Sequence, residues 1–301
     1  MRLFTQRPGY TNVLLRGGLG NQMFQYAAGL SVARRTGTRL RLDLTALDRD
    51  EKRQFALDQF AIDADLLHAA DDEPLQYSDP RSLATYAKTR FGAAVVVQRD
   101  ETFGDELSEA AANSYLVGYW QSDGYFDAAS EEVRAHFELR APSAAYTELR
   151  RRIRAEKSAA VHVRRGDYAE DTAVQRVIGL LEPNYYRDAA NELVARTNVG
   201  KFRVFSDDPD WCRSRVDLPG EVAIMSEGLT DAEELHLISA CDHAIISNSS
   251  FSWWGAWLGA TAKSVVIAPS RWLRSLDTRA GSRVPADWMT LPAEFVPINM
   301  E

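Results

Sequence analysis

The segment HVRRGDY, residues 162–168, places anion-binding side chains directly after a run of apolar residues. That run predicts a buried strand ending near residue 163. Side chains alternate along a strand, so His162 and Arg164 share one face, while Arg165 and Asp167 lie beyond the strand end. The planar guanidinium group of arginine matches phosphate oxygens through paired hydrogen bonds. The segment therefore predicts a phosphate site, and an arginine–aspartate surface pair is the structural alternative.

A pair of carboxylates, Asp207 and Asp208, follows a second predicted strand in FSDDPDWC, residues 205–212. A carboxylate repels the phosphates of a nucleotide, so it is better suited to contact the base or the ribose. Guanine offers its N1–H and N2 amino groups as neighbouring donors to one carboxylate, and adenine does not. The alternative is that Asp207 or Asp208 caps the helix that follows.

We predict no bound metal ion. Asp208-Pro-Asp210 imitates a D-x-D metal motif, but Asp48-Arg-Asp50 and Asp63-Ala-Asp65 match it as well, which is close to chance in an aspartate-rich chain. No spacing of cysteine and histidine is typical of zinc.

A cluster of helix-capping residues follows a third apolar run and precedes an aromatic helix pattern. The cluster and its successor are Ser247, Asn248, Ser249, Ser250 and Phe251. Free N–H groups and the helix dipole make such a helix N-terminus an anion site. We expect the tryptophans at 253, 254 and 257 to pack against the sheet, because their spacing is helical.

The segment GGLGNQ, residues 17–22, lies between a strand pattern and a helix pattern, so we predict a loop there. Gly18, Gly20 and the later Asp43 imitate the dinucleotide fingerprint of nicotinamide-dependent oxidoreductases. Met23 stands where the third glycine belongs, and this pattern alone is weak support. An oxidoreductase is therefore the alternative hypothesis, and it leaves residues 162–168 unexplained.

The composition restricts the class of protein. The chain has 301 residues and a formal net charge of -8, whereas a general nucleic-acid binder needs a broad positive surface. A local cluster must therefore hold any anionic ligand. We find no signal-peptide core and no apolar run of the roughly 18 residues that a membrane span needs. We expect a cytoplasmic protein, with peripheral contact to the inner face of a membrane left open.

The order of predicted elements indicates two α/β domains, residues 1–150 and 151–301. In the first, an amphipathic helix is predicted over residues 122–140, and residues 48–100 give no firm assignment. In the second, five strand patterns alternate with helix patterns, which predicts a parallel sheet covered on both faces. Thr230 and Glu233 form a capping-box pattern for one of these helices. Ligands of such sheets bind at the carboxyl ends of strands, where the charged segments lie.

Six segments closely resemble the bacterial α-1,2-fucosyltransferases of glycosyltransferase family eleven. They span about residues 13–273 and are, in order, GGLGNQMFQYAAGLSVARR, GYWQSDGYF, HVRRGDY, FSDDPDWC, SNSSFSWWGAWLG and VVIAPSRWL. The resemblance implies inverting transfer of L-fucose from GDP-β-L-fucose to the 2-hydroxyl of a galactose, without a metal ion or cofactor. It also implies a GT-B-like fold, in which two Rossmann-type domains with mostly parallel sheets face a cleft.

The resemblance also implies roles for the donor-binding residues. His162 and one of the aspartate pair would contact guanine. Arg164 would hold the β-phosphate, supported by Arg165 and the turn at residues 247–251. The loop containing Gly18, Gly20, Asn21 and Gln22 would close over the pyrophosphate or the sugar from the N-terminal, acceptor-side domain.

The proposed reaction also needs a catalytic base and an acceptor. Asp167 is the first candidate for the base, with Glu170 and Asp171 behind it, and its alternative role is to orient an arginine. The acceptor would be a galactose-terminated oligosaccharide or a lipid-linked glycan, and the oligomeric state is not predicted. A non-catalytic nucleotide-sugar-binding protein is the third hypothesis. We expect core packing rather than sugar contact for four aromatic residues, Tyr119, Trp120, Tyr125 and Phe126.

Overall fold

The computed structural model describes residues 9–69, 80–99, 102–225, 228–275 and 283–298. The chain forms two compact units, Met1–Arg140 and Ala141–Glu301. The division therefore lies after Arg140 and not after residue 150, where the sequence places it. The intervening helix packs against a helix of the second unit and belongs to it.

The first unit is built on a five-stranded parallel sheet. Its strands are β1 (Tyr10–Leu14), β2 (Arg39–Asp43), β3 (Asp65–Leu67), β4 (Ala94–Val97) and β5 (Ser114–Val117). Its helices are α1 (Leu19–Thr36), α2 (Pro80–Phe91) and α3 (Ser130–His136). The strand order is β3-β2-β1-β5-β4. The sequence left three of these strands unassigned, β3, β4 and β5, which have only three or four residues each and are too short to show a clear period.

Helix α1 begins earlier than the sequence predicts. Gly18 is its N-cap, so only Gly17 and Gly18 of the predicted loop precede the helix. The loop prediction is wrong for Gly20, Asn21 and Gln22, which form the first turn of α1. Gly29 lets this helix approach the sheet closely, because an added Cβ would overlap Cγ2 of Val13 in β1.

The amphipathic helix predicted over residues 122–140 is wrong in its extent. The segment forms 3₁₀ turns at Asp123–Tyr125 and Asp127–Ala129, and only α3 is α-helical. Phe126 lies between the two turns with a φ of -137°, outside the helical range, and its ring is fully buried. Burial of this ring overrides the helical periodicity of the sequence.

The second unit is built on a six-stranded parallel sheet. Its strands are β6 (Ala159–Val163), β7 (Lys201–Ser206), β8 (Glu221–Met225), β9 (His243–Ile245), β10 (Val266–Pro269) and β11 (Met289–Leu291). Its helices are α4 (Ala144–Arg154), α5 (Gly166–Glu170), α6 (Thr172–Val177), α7 (Pro183–Thr197), α8 (Pro209–Arg215), α9 (Asp231–Ile238) and α10 (Ser250–Gly259).

The strand order β11-β10-β9-β6-β7-β8 is that of a Rossmann fold. The chain proceeds outward from β6 through β7 to β8 and then returns to β9 on the other side of β6. In folds of this kind, ligands bind at this switch point, beyond the carboxyl ends of the strands that here are β6 and β9. The predicted α/β class, with two Rossmann-type domains and parallel sheets, is confirmed.

The interior of the second unit agrees with two further predictions. Thr230 and Glu233 form the capping box that starts α9. Trp253 and Trp254 are fully buried, and the rings of Trp253 and Trp257 stack with their centroids 5.9 Å apart. These tryptophans therefore pack in the core, as expected. In the part of the chain that the structure describes, no helix is both long enough and apolar enough to span a bilayer.

Candidate functional site

The charged segments of the second unit meet at the carboxyl end of its sheet. Strand β6 ends in His162 and Val163 and leads into the two arginines, and its neighbour β7 leads into the two aspartates. The register pairs Val163 with Ser206, so Arg164 and Arg165 emerge beside Asp207 and Asp208. The two arginines and the two aspartates are called the arginine–aspartate cluster below.

Asp207 holds both arginines of the cluster. Its Oδ2 lies 2.7 Å from a terminal nitrogen of Arg164, and its Oδ1 accepts the backbone N–H of Arg165 at 2.8 Å. Gly166 permits this approach, because an added Cβ would lie 2.5 Å from Oδ2 of Asp207. The Arg164 guanidinium also lies over the ring of Tyr168, 5.3 Å from its centroid. The sequence predicted an arginine–aspartate pair only as an alternative to ligand binding, and the structure shows such pairs.

Asp208 has two partners. It caps α8 by accepting the N–H of Trp211 at 3.0 Å, as the alternative interpretation predicted. Its other oxygen accepts from Nε of Arg165 at 3.1 Å. The Arg165 guanidinium is also stacked 4.0 Å from the Trp211 ring centroid. Arg165 is therefore fixed on two sides before any ligand binds.

His162 lies at the same site and its imidazole is uncharged. Its side chain is buried, Nδ1 lies 3.4 Å from Oγ of Ser247, and its ring lies 5.2 Å from that of Phe251. Burial, together with the positive charge of Arg164, lowers the pKa of His162 to about 3. A neutral imidazole offers one donor and one acceptor to a ligand at neutral pH.

The turn at residues 247–251 uses its side chains mainly to hold its own shape. The amide of Asn248 donates to the carbonyl oxygens of Ile178, Gly179 and Trp272. Ser249 is the N-cap residue of α10, but its side chain makes no capping bond. The first N–H groups of a helix have no acceptor within the helix, so this turn can offer backbone donors to an anion.

Glu234 is a site residue that the sequence analysis missed. It is half-buried in α9, and its carboxyl lies close enough to Asp207 and Arg164 for their charges to act on it. The pKa of Glu234 is raised to about 7, mainly by burial and also by the charges of Asp231 and Asp207, against a lowering by Arg164. A carboxyl group with a strongly raised pKa beside a charged cluster is a candidate functional group. The capping box located the helix start, but no local signal places Glu234 at the site.

The candidate bases lie in the segment after β6. Asp167 is in α5, and its side chain and that of Glu170 lie outside the described residues. Asp171 caps α6, because its Oδ1 accepts the N–H groups of Ala173 and Val174. Asp171 therefore has a structural role as a helix cap.

The glycine segment of the first unit is also held by internal bonds. Gln22 donates to the carbonyl oxygens of Gly17 and Gln54, both at 2.8 Å, and accepts the N–H of Ala56. Asn21 accepts a hydrogen bond from Gln121 at 2.7 Å. These side chains fix the shape of the turn before α1. Gly18 and Gly20 at its end carry no side chain that could act chemically.

The structure argues against the oxidoreductase hypothesis, which needs Asp43 to bind a ribose. Asp43 is fully buried and accepts hydrogen bonds from Thr45, Tyr86 and Tyr115. A carboxylate in this position cannot contact a ribose. Asp43 is a structural residue.

Two other sets of predicted residues are placed as follows. Trp120, Tyr125 and Phe126 are buried, as expected for core residues, and only Tyr119 of that set is partly exposed. Of the D-x-D match at 208–210, Asp208 is the α8 cap and Asp210 pairs with Arg213. Within the described ranges, no three His, Cys, Asp or Glu side chains cluster in a way that could hold a metal ion.

Comparison with known proteins gives the family. The family described as "Glycosyl transferase family 11" matches residues 2–291. Two Escherichia coli proteins are similar over most of their length. An alpha-1,2-colitosyltransferase is 30% identical, covering 92% of this chain and 97% of its own. The O-antigen biosynthesis glycosyltransferase WbnK is 29% identical, covering 86% and 93%. The resemblance predicted from the six ordered segments is confirmed.

Animal relatives and solved structures are more distant. A galactoside alpha-(1,2)-fucosyltransferase 1 from Aotus azarae is 28% identical over 80% of this chain and 63% of its own. A mutant of Arabidopsis thaliana FUT1 in complex with GDP has 14% identity and a TM-score of 0.48, covering 86% of this chain and 70% of its own. Fucosyltransferase NodZ from Bradyrhizobium has 16% identity and a TM-score of 0.45, covering 83% and 92%.

Proposed function

Because the chain belongs to glycosyl transferase family 11, we propose that it is an α-1,2-fucosyltransferase. It would transfer L-fucose from GDP-β-L-fucose, with inversion, to the 2-hydroxyl of a galactose. The observation that carries this proposal is the arginine–aspartate cluster at the switch point of the second sheet. Two adjacent cations held in place there suit a nucleoside diphosphate leaving group.

The reaction requires positive charge on the side of the fucose ring that GDP leaves and a proton acceptor on the side from which the galactose hydroxyl attacks. The galactose oxygen forms a bond to C1 of fucose, the C1–O bond to GDP breaks, and GDP leaves with the electron pair. Preorganised cations aimed at this developing charge contribute about 3 kcal/mol each, by comparison with an oxyanion-hole donor. Asp207 and Asp208 hold Arg164 and Arg165 in advance, so little reorganisation accompanies the reaction.

In this proposal the two arginines and the backbone N–H groups of the 247–251 turn neutralise the diphosphate, and no metal ion or cofactor takes part. The proton of the acceptor hydroxyl would pass to a carboxylate on the opposite face of the sugar. Asp167 is our candidate for that base. Its alternative role is to orient one of the arginines.

We assign guanine recognition to the same end of the sheet, through His162 and a carboxylate. The ion pairs of Asp207 and Asp208 with the arginines favour a positioning role for both. Glu234 has no such ion pair among the described residues and lies near the cluster, which makes it the stronger candidate. A carboxylate accepts from guanine N1–H and N2–H only when it is ionised.

A second donor sugar is favoured by one observation. The alpha-1,2-colitosyltransferase of Escherichia coli is 30% identical over 92% of this chain. Colitose is fucose without its 3-hydroxyl group, so the same diphosphate and guanine contacts would serve both donors. Only contacts to that hydroxyl would distinguish them.

The remaining assignments follow from this activity. The acceptor would be a galactose-terminated oligosaccharide or a lipid-linked glycan, with the first unit on the acceptor side and the second holding GDP-fucose. We place the enzyme in the cytoplasm, where it would act on a glycan before export, in peripheral contact with the inner face of the membrane when the acceptor is lipid-linked.

The test is a transfer assay with the purified chain. GDP-fucose and GDP-colitose are each supplied with β-linked galactosides, and the linkage and anomeric configuration of the product are determined. We expect an α-1,2 product and unchanged turnover in EDTA. Loss of turnover in EDTA that Mn²⁺ or Mg²⁺ restores would overturn metal independence. GDP binding without turnover on any galactoside would favour a non-catalytic binding protein.

A further inference from the structure

A cavity lies at the end of the second unit's sheet that is opposite to the arginine–aspartate cluster. It has a volume of about 710 Å³, within the range of small-molecule sites. Arg154 and Lys157 line it just before β6, Asp242 and His243 at the start of β9, and Lys263 before β10. The arginine–aspartate cluster follows the carboxyl ends of the strands, whereas this cavity faces their amino ends. The two sites are therefore separated by the length of the sheet.

The carboxylates around this cavity are already engaged. Oδ2 of Asp242 accepts the backbone N–H of Ser158 at 2.9 Å. Oε2 of Glu156 lies 2.8 Å from both Lys201 and Arg203. The charge of Glu156 is therefore balanced by cations outside the cavity, and Asp242 remains as one negative charge against the positive side chains that line it.

The cations, by contrast, are largely available. Arg154 and Lys263 form no ion pair within the described part of the chain, and both are exposed. Lys157 donates to the carbonyl oxygen of Thr197, which leaves two of its three ammonium protons. Three positive side chains thus converge on one cavity of a chain whose formal net charge is -8.

His243 adds a buried donor to this wall. The residue is 6% exposed, and its Nδ1 accepts the N–H of Val265 at 3.1 Å. Burial lowers the pKa of His243; Asp242 raises it and Lys157 lowers it, and the net shift favours the neutral ring. A neutral ring that accepts at Nδ1 carries its proton on Nε2. That Nε2 is buried and has no hydrogen-bond partner among the described residues. A buried donor without an acceptor is costly, so this N–H favours an acceptor oxygen, from water or from a ligand, at the cavity wall.

We propose that this cavity, called the basic cavity below, binds a phosphate group. A phosphate has several acceptor oxygens, so it can accept from Arg154, Lys263 and Nε2–H of His243 together. Carboxylate ligands have fewer oxygens to share among these donors. The phosphate would belong either to a soluble phosphorylated compound or to a lipid headgroup, and both present the same chemistry. The site is independent of the proposed transfer reaction.

Each site contains one buried histidine, His162 or His243, so the two sites can be observed separately. The protein is saturated with one equivalent of GDP, inorganic phosphate is titrated, and the imidazole signals are followed by NMR. We expect the signals of His243 to shift saturably with phosphate, while those of His162 respond to GDP. Charge-assisted hydrogen bonds are strong enough that Lys263→Ala and Arg154→Ala should each weaken phosphate binding about tenfold or more.

Two further variants test the assignment. His243→Asn keeps an acceptor for the N–H of Val265 and removes the Nε2 donor, so it should weaken phosphate binding, followed by calorimetry, with little loss of stability. Arg151→Ala is the matched control, because Arg151 is an exposed arginine of α4 that pairs with Glu148 and does not line the cavity. It should leave phosphate binding unchanged. Transfer activity should be the same in Lys263→Ala as in the wild type, so failure of one proposal does not affect the other.

A vesicle assay distinguishes the two sources of phosphate. Cosedimentation with phosphatidylglycerol vesicles that is lost in Lys263→Ala and Arg154→Ala but kept in Arg151→Ala would identify a lipid headgroup. Saturable binding of inorganic phosphate with the same pattern and no vesicle binding would identify a soluble ligand. If neither probe binds, or if the variants bind both probes like the wild type, the proposal is overturned.

Discussion

The second strand of each sheet, β2 and β7, carries an aspartate at its carboxyl end, but the two carboxylates have opposite surroundings. Asp43, in the first unit, is fully buried and accepts from Thr45, Tyr86 and Tyr115. Asp207, in the second unit, is partly exposed and holds the side chain of Arg164 and the backbone of Arg165. The first carboxylate is saturated by neutral donors of the protein. The second holds a cation at the carboxyl end of the sheet, where the cation can also bind a ligand.

In the proposed function, this difference separates a stabilising acid from a functional one within the same type of sheet. Neutral internal donors use all the acceptor capacity of Asp43, so it has nothing to offer a substrate. An ion pair at a crevice behaves differently, because a diphosphate can share the arginine with its aspartate. We therefore expect substitutions in the first unit to act on stability and those in the second to act on ligand binding and turnover.

The largest effect on stability is expected for Asp43→Ala. Removing the carboxylate leaves several buried donors without an acceptor, at about 1–3 kcal/mol each. The free energy of unfolding should fall by about 3 kcal/mol or more in denaturant titrations. Asp207→Ala, the matched change at the partly exposed site, should cost about 1 kcal/mol or less. Equal losses in the two variants would remove the distinction between the two acids.

An intermediate effect is expected on nucleotide selectivity. Glu234→Gln should weaken GDP binding by about 1–3 kcal/mol, the range of a good bidentate base contact, and reduce the preference for GDP over ADP. Asp207→Asn should weaken GDP and ADP alike, because it acts through Arg164 on the phosphates. Calorimetric titrations with both nucleotides measure the two outcomes. If Asp207→Asn alone changes the GDP/ADP ratio, the guanine contact belongs to the aspartate pair.

The pH dependence of GDP binding tests whether Glu234 contacts guanine. The raised pKa of Glu234, about 7, means that its carboxyl gains a proton as the pH falls through 7. The protonated form cannot accept both guanine donors, so GDP affinity should fall below pH 7 and rise above it. In Glu234→Gln only the smaller dependence that comes from protonation of the terminal phosphate of GDP, whose second pKa is about 6, should remain. The dependence cannot come from His162, because the pKa of that ring is about 3.

The smallest effect is expected for Asp208→Ala. The variant loses the α8 cap, which is worth about 1 kcal/mol, and a half-exposed ion pair that contributes little. Arg165 keeps its stacking on Trp211, so turnover should fall less than in any variant of Arg164. Denaturant unfolding and steady-state kinetics measure both quantities. A loss of turnover as large as that of Arg164→Ala would show that Asp208 contacts the substrate.

The elements that the sequence predicted well are those with strong local signals. Strand β6 ends at Val163, where its end was predicted, and the capping box at Thr230 is formed. The segments at the carboxyl ends of β6 and β7 also meet as expected, because neighbouring parallel strands end at one edge. Elsewhere the local pattern predicted the wrong structure because long-range packing overrides it. At Phe126, burial of the ring interrupts the predicted helix.

Individual side-chain roles were harder to predict, because they depend on partners distant in the chain. Asn248 has the sequence signature of an anion-binding turn, yet its amide bonds three carbonyl oxygens from two other segments. Asp43 and Asp207 both follow alternating apolar residues, and only the three-dimensional neighbours show which of them is saturated. Glu234 reaches the site through the position of α9 on the sheet, which no short pattern encodes.

The central claim is that Arg164 supplies the positive charge on which departure of the diphosphate depends. The most direct measurement is kcat/KM for fucose transfer from GDP-fucose by the wild type, Arg164→Lys and Arg164→Ala, with circular dichroism to verify the fold. Arg196→Ala, which removes an exposed arginine paired with Glu192 on α7, is the control. We predict a loss of at least about a hundredfold for Arg164→Ala and severe impairment for Arg164→Lys, which keeps the charge but loses the planar fork. Near-normal turnover by a folded Arg164→Ala protein would contradict the claim.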